Sequence, residues 1–150
     1  MSLGDFFPDD LKNQFAKRNI DLGSVILIKI PDFSVNYDKY IILVSKDDVE
    51  EYIAYVVINS EANPNVAYNA YLKSLHIKID KANNPFLEKD SFVDCSKLRE
   101  FPIKTVVEFL TNNPERAVGN VSPDVLKSIH ITITKATTIE PYIKKKFGFS

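Results

Sequence analysis

Long apolar runs occupy the first half of the chain and predict strands. Residues 24–30 (SVILIKI), 39–45 (KYIILVS) and 51–60 (EYIAYVVINS) are rich in β-branched and aromatic side chains. Runs of this length and composition are typical of strands that are buried on both faces or that line a crowded barrel wall. The loop PDFSVNYD separates the first two runs, and an acidic hairpin tip joins the second to the third.

The later strands are shorter, and their apolar and polar residues alternate. In KSLHIKID the apolar residues point to one face of the strand, while His76 and Lys78 point to the other. The segment DSFVDCS predicts a fifth strand that presents Val93 and Cys95 to one face. ERAVGNV predicts a short sixth strand.

Capping residues mark the helices. FPDDLKNQFAKRN predicts a helical N-terminal arm over residues 5–19, and IKTVVEFLTNN predicts a short helix that stops at Asn-Asn-Pro. SPDVLKSIHITITKA begins with Ser122 as N-cap and Pro123 in the first turn. Its HITITK portion is strand-like in composition, so the pattern leaves the end of this helix open. EANPNVAYNAYLKS is compatible with a helical turn or with an ordered loop.

Five or six short strands with short helices, and no alternation of strand and helix, predict a mainly β fold. The expected architecture is a compact antiparallel barrel or half-barrel with helical additions. The chain of 150 residues contains no internal repeat and no flexible linker, so we expect one domain over residues 1–150.

Composition narrows the functional classes. Hydrophobic residues make up 45% and charged residues 26%, and the formal net charge is -1, so no overall positive field recruits nucleic acid. The single cysteine excludes an internal disulfide and fits the cytoplasm. No apolar run reaches the ~18 residues of a membrane span. The lysines among residues 135–150 predict either a local basic patch or a solvated, frayed C-terminus.

Familiar catalytic and metal-binding motifs are missing from the sequence, which contains two histidines and four glycines. We therefore expect no metal and no cofactor. On its strand His76 is either a general base or, as the pattern favours, a surface histidine, and His130 belongs to the flank of a helix. Cys95 is expected to be a buried structural thiol. The acidic residues Asp47, Asp48, Glu50 and Glu51 predict a solvated turn rather than a metal site.

The order of segments resembles the PemK/MazF family of toxin ribonucleases, which have an SH3-like barrel. A turn with glycine leads into VILIKI, a loop leads into KYIILVS, and VVINSE ends the third strand. HIKID, KLREF and GNVSPDVLKSI then follow in the family's order. The resemblance covers residues 23–136. It leaves the arm over residues 5–19 and a C-terminal extension over residues 137–150 outside the family pattern.

This resemblance implies a toxin that cleaves single-stranded RNA without metal. In that reaction the ribose 2′-hydroxyl attacks the neighbouring phosphate, and the enzyme supplies a cation and proton-transfer groups. The family's catalytic arginine falls on Lys39. A lysine keeps the positive charge but lacks the planar guanidinium that binds phosphate through two hydrogen bonds. Its catalytic Thr or Ser falls on Asn59 or Ser60.

Other positions are implied to contact RNA: Tyr40, which stands where the family has a proline, and His76, Lys78 and Arg99. Arg99 matches a family arginine at the subunit interface, and a homodimer and an antitoxin partner are expected on the same grounds. The loss of the arginine leaves an alternative, namely a degenerate barrel that binds a protein or RNA without cleaving it. A scaffold with an assembly role is a third hypothesis.

The aromatic residues of the C-terminal extension also allow two interpretations. Tyr142, Phe147 and Phe149 flank a run of lysines, a combination that can stack bases and contact phosphates. The same side chains can instead dock on the barrel or on a second subunit, and docking is the interpretation that we favour.

Overall fold

The computed structural model describes residues 20–30, 38–60 and 69–150. The predicted N-terminal helical arm lies outside the described residues, as do most of the PDFSVNYD loop and residues 61–68. The strands predicted from the apolar runs fall within the described part, and so does the whole C-terminal extension.

The described residues contain six strands that form one antiparallel sheet, with the spatial order β4-β5-β3-β2-β1-β6. The predicted mainly β class is therefore confirmed, and the curled sheet is a half-barrel compatible with a small β barrel. The strands are β1 (Ser24–Ile28), β2 (Lys39–Asp47), β3 (Tyr52–Asn59), β4 (His76–Ile79), β5 (Ser91–Pro102) and β6 (Ala117–Asn120).

Strand β5 pairs with β3 along nearly its whole length but with β4 only over Ser91 to Asp94. Its first residues pair with β4 on one side and with β3 on the other, and the pairing with β3 shifts register between Tyr55 and Val57 of that strand. Beyond the shift, Arg99 pairs with Tyr55, and Pro102 pairs with Tyr52. Such an irregularity bends a strand and increases its twist, which helps a sheet to curl.

Four α-helices lie among the described residues: α1 (Ala70–Ser74), α2 (Ile103–Asn112), α3 (Pro123–Lys135) and α4 (Pro141–Lys146). A short 3₁₀ helix, Pro114–Arg116, precedes β6. The predicted cap of α3 is confirmed, because the Ser122 hydroxyl accepts a hydrogen bond from Val125 N at 3.2 Å. The segment HITITK is helical, since Ile129 and Ile133 lie on one buried helical face, and this packing outweighs its strand propensity.

The sheet separates two hydrophobic cores. We call the first the helix-side core, where Val25, Ile42 and Val56 pack with Ile129 and Ile133 of α3. The second core, on the other face of the sheet, contains Ile26, Ile41 and Ile53 together with Val106 and Leu110 of α2. Because β1, β2 and β3 are covered on both faces, their sequences lack a polar side, as the apolar runs predicted.

The C-terminal extension completes the helix-side core. Phe147 and Phe149 are 3% and 1% exposed, and the Ser45 hydroxyl donates a hydrogen bond of 2.6 Å to the Phe147 carbonyl. The predicted frayed C-terminus is therefore wrong, and the predicted docking on the barrel is confirmed for these two rings. Tyr142 is 65% exposed. In the described part of the chain no helix has the length and apolarity needed to cross a membrane.

Candidate functional site

A cavity of about 650 Å³ opens where β2 begins and β3 ends. This volume lies within the range of small-ligand sites in proteins, roughly 300–1,000 Å³. Its floor is a row of cross-strand neighbours, because Leu27 pairs with Tyr40 and Tyr40 pairs with Ile58. We call it the Lys39 cavity. It is lined by Leu27, Asp38, Lys39, Tyr40, Ile58, Ser60, Leu87, Glu88, Lys89 and Ser91.

Three of the residues predicted for RNA cleavage and binding meet in this cavity: Lys39, Tyr40 and Ser60. Lys39 is the first residue of β2 and is half-buried. Burial lowers the pKa of its amine below the ordinary lysine value, because desolvation disfavours the ammonium ion. Ser60 follows the last residue of β3 and is exposed, so its hydroxyl is accessible to a ligand.

Tyr40 joins the sheet to the loop that forms the opposite wall. Its hydroxyl donates a hydrogen bond of 3.0 Å to the Phe86 carbonyl, and the two rings are 5.6 Å apart at a tilted angle. The Phe86 ring also fits against Gly119 of β6, where a Cβ atom would lie 2.9 Å from it. Tyr40 therefore has a structural role that the family resemblance did not predict.

The wall loop between β4 and β5 is held by its own hydrogen bonds. Asp80 accepts hydrogen bonds from the backbone and the side chain of Asn83, both at 3.0 Å, and the buried Asn84 side chain donates to the Asp80 carbonyl. Asp90 accepts from Lys81 N at 2.9 Å. These bonds close both ends of the loop and give the cavity a fixed wall.

Acidic and basic groups balance each other around the cavity. Two carboxylates, Asp38 and Glu88, and two amines, Lys39 and Lys89, line it. The guanidinium of Arg116 forms an ion pair with the Asp38 carboxylate. Sequence reasoning missed Arg116 and Glu88, because Arg116 is separated from Asp38 by 78 positions and neither residue belongs to a recognisable motif.

The remaining predicted site residues lie elsewhere. Asn59 is not among the lining residues, and strand alternation turns its side chain away from the face of Ile58. Lys78 is an exposed residue of β4. Arg99 lines a different cavity of about 450 Å³, between β5 and the C-terminal extension. The structure thus does not bring these residues together with Lys39 and Ser60.

His76 also lies away from the Lys39 cavity, and its predicted surface position is wrong. The side chain is 6% exposed. Its Nδ1 donates a hydrogen bond of 2.7 Å to the Leu72 carbonyl, which can only accept, and its Nε2 lies 3.4 Å from Asp94 Oδ1. The imidazole is buried because α1 folds over β4 at this point. His76 therefore ties α1 to β4 and β5.

The two other groups with candidate chemistry behave as the sequence predicted. Cys95 is completely buried, and burial, together with the nearby charge of Asp94, raises the pKa of its thiol to about 12. A thiol in this state is a poor nucleophile. His130 lies at the flank of α3, where its ring is 4.5 Å from the ring of Phe149.

The acidic tip between β2 and β3 is a turn, and Glu51 in it has a positive φ of 60°. Glu50 forms an ion pair of 2.8 Å with Lys146 of the C-terminal extension. Among the described residues, no group of three or more histidine, cysteine, aspartate or glutamate side chains is arranged to hold a metal ion.

Comparison of the sequence with protein-family models and with curated proteins finds no match. The geometry of the Lys39 cavity and the order of segments along the chain are therefore the two features that point to a function.

Proposed function

We propose that the protein is an SH3-like barrel ribonuclease of the toxin type, which binds single-stranded RNA in the Lys39 cavity and cleaves it without metal. The observation that carries this proposal is that Lys39, Tyr40 and Ser60 share one cavity. The family resemblance assigned these three positions to cleavage and RNA binding from the order of segments, and the cavity is an independent reason to group them. A homodimer, an antitoxin partner and a cytoplasmic location belong to the same proposal.

The cavity offers groups that suit a phosphodiester. The Lys39 ammonium can stabilise the negative charge that develops on the phosphate oxygens, and the Ser60 hydroxyl can donate a hydrogen bond to them. A half-buried cation exerts a stronger field than an exposed one, because less water screens it. The Tyr40 ring and the apolar floor provide a surface against which a base can lie.

Lysine in place of arginine changes how the cation works. An ammonium acts as a point charge, whereas a guanidinium binds phosphate with two parallel hydrogen bonds. An ammonium with a lowered pKa can also give its proton to the leaving oxygen, which a guanidinium does poorly. Lys39 therefore suits a mechanism in which one residue both stabilises charge and donates a proton.

The test is cleavage of a mixed-sequence single-stranded RNA in the presence of EDTA. We expect Lys39→Ala to abolish cleavage, while Lys104→Ala, which removes an exposed lysine of α2, leaves it unchanged. The active form of Lys39 is the ammonium ion, so wild-type activity should fall as the pH rises and this group loses its proton. Because burial lowers the pKa of Lys39, the fall should begin below the ordinary lysine value of 10.5. Lys39→Arg stays charged to higher pH, so any activity that it retains should lack this decline. Equal cleavage by wild type and Lys39→Ala would refute the assignment.

A second candidate function is RNA or protein binding without cleavage. The balance of charge in the cavity favours it, since Asp38 and Glu88 repel a phosphate that Lys39 and Lys89 attract. Binding of single-stranded RNA with no product at high protein concentration would support this function. Turnover by wild type that is lost in Lys39→Ala would exclude it.

A further inference from the structure

The proposed reaction needs a base that takes the 2′-hydroxyl proton, and the cavity offers few groups that can do so. Neither a histidine nor a cysteine occurs among the described residues that line it. Lys39 is assigned as the cation and is protonated for that role. Carboxylates are then the bases within reach, and the lining contains Asp38 and Glu88.

The surroundings of the two carboxylates differ. Asp38 is half-buried beside Arg116, and its carboxylate forms an ion pair with that guanidinium. The guanidinium occupies one side of the Asp38 carboxylate, so a ligand hydroxyl would have to compete with the ion pair to reach it. Glu88 is an exposed residue on the opposite wall of the cavity, where its carboxylate is accessible to a ligand.

The backbone that carries Glu88 is anchored on both sides. Leu87 is 3% exposed and belongs to the helix-side core. Ser91 is 4% exposed, and its hydroxyl donates a hydrogen bond of 2.9 Å to the Lys89 carbonyl. Phe86, which precedes this segment, accepts a hydrogen bond from Tyr40. The backbone that carries the exposed Glu88 and Lys89 is therefore held beside the cavity. An anchored backbone limits the positions that the Glu88 carboxylate can reach, which favours a repeatable approach to a bound 2′-hydroxyl.

We propose that Glu88 is the general base of the reaction; this inference rests on the proposed ribonuclease function. The Glu88 carboxylate takes the proton of the 2′-hydroxyl as the O2′–P bond forms. The P–O5′ bond breaks, and the Lys39 ammonium gives a proton to the departing O5′. The products are a 2′,3′-cyclic phosphate and a 5′-hydroxyl, so no water, metal or other reactant is consumed.

The experiment compares wild type, Glu88→Gln, Glu88→Ala and the control Glu108→Gln, an exposed glutamate of α2. Cleavage is measured on a mixed-sequence RNA, and binding is measured on the same sequence with 2′-O-methyl riboses, which lack the attacking hydroxyl. Loss of a general base costs about 10²–10⁴-fold in rate. We expect that loss in Glu88→Gln with unchanged binding, and partial recovery of Glu88→Ala in the presence of formate, which can occupy the vacated space and accept the proton.

The outcomes separate this inference from the proposed function. If wild type cleaves and Glu88→Gln cleaves within threefold of it, the assignment of Glu88 is overturned and the ribonuclease proposal stands. If binding falls as much as cleavage does, Glu88 binds RNA and is not the base. If wild type cleaves no RNA under any condition that allows binding, both the function and the inference are overturned.

Discussion

The Lys39 cavity and the C-terminal extension contain the same kinds of side chain, lysine beside aromatic rings, and use them in opposite ways. In the cavity, the half-buried Lys39 and Tyr40 border an open space. In the extension, Lys146 bridges Glu50 and Glu100 at 2.8 and 3.0 Å and lies 4.3 Å from the centre of the Tyr52 ring. Lys39 thus lines a space that a ligand can enter, whereas the Lys146 ammonium is held by carboxylates and a ring of the protein itself.

This difference shows why lysine and aromatic residues in sequence are weak evidence for nucleic-acid binding. The two acidic partners of Lys146 raise the pKa of its amine, chiefly through the hydrogen bond with Glu50, and hold its charge within the fold. Lys39 shows the opposite shift, since burial lowers its pKa. The position of each lysine in the fold, rather than the residue type, separates Lys146, which bridges two glutamates, from Lys39, which lines a cavity.

The largest expected effect tests the structural role of the extension. Phe149→Ala should lower the free energy of unfolding by about 3–5 kcal/mol, because it empties a fully buried site in the helix-side core. Thermal denaturation measures the change, with Tyr142→Ala as the control on an exposed ring of the same segment. If Phe149→Ala were no less stable than Tyr142→Ala, the extension would not be part of the core.

An intermediate effect is expected at the wall of the Lys39 cavity. Gly119→Ala places a Cβ atom 2.9 Å from the Phe86 ring, which must shift, and Phe86 precedes Leu87 and Glu88 in the same loop. Overpacking of this kind costs about 1–3 kcal/mol. We expect RNA binding to fall in the variant while it is still folded, as judged by circular dichroism. Binding equal to wild type would show that the wall does not position the ligand.

The smallest expected effect distinguishes the structural role of Lys146 from the ligand-binding role proposed for Lys39. Lys146→Ala removes two ion pairs and a cation–π contact and should cost about 1–2 kcal/mol, because the lysine side chain is only 19% exposed. RNA binding should be unchanged, in contrast to Lys39→Ala. The neighbouring exposed Lys145→Ala is the control for loss of charge. A loss of RNA binding in Lys146→Ala without a loss of stability would give the extension a role in recognition.

Most of the sheet was predictable, because the pattern of side chains along a strand is local information. The apolar runs predicted β1, β2 and β3, and alternation predicted β4 and the buried side of β5 at Val93 and Cys95. The end of α3 was not predictable, since Ile131 and Thr132 favour strands in isolation. They are helical here because Ile129 and Ile133 pack against the sheet.

The candidate site was predictable only in part. The order of segments singled out Lys39, Tyr40 and Ser60, which share the cavity, together with Asn59, His76, Lys78 and Arg99, which do not line it. His76 illustrates the reason: its position on the polar side of a strand predicted exposure, and only the fold of α1 over β4 buries its ring. The sequence of a strand does not show which distant element will pack over each of its faces.

The sequence by itself determined the class of the fold, the identity of the strands and the inert character of Cys95, because these follow from hydrophobicity and spacing within a few residues. The tertiary structure decided which lysine bridges two glutamates and which lines a cavity, which aromatic rings are buried, and which carboxylate forms an ion pair with an arginine. These depend on contacts between distant segments, such as Arg116 with Asp38 and Lys146 with Glu50. Burial and pairing are properties of the assembled surfaces, and they set the charge and the reactivity of each group.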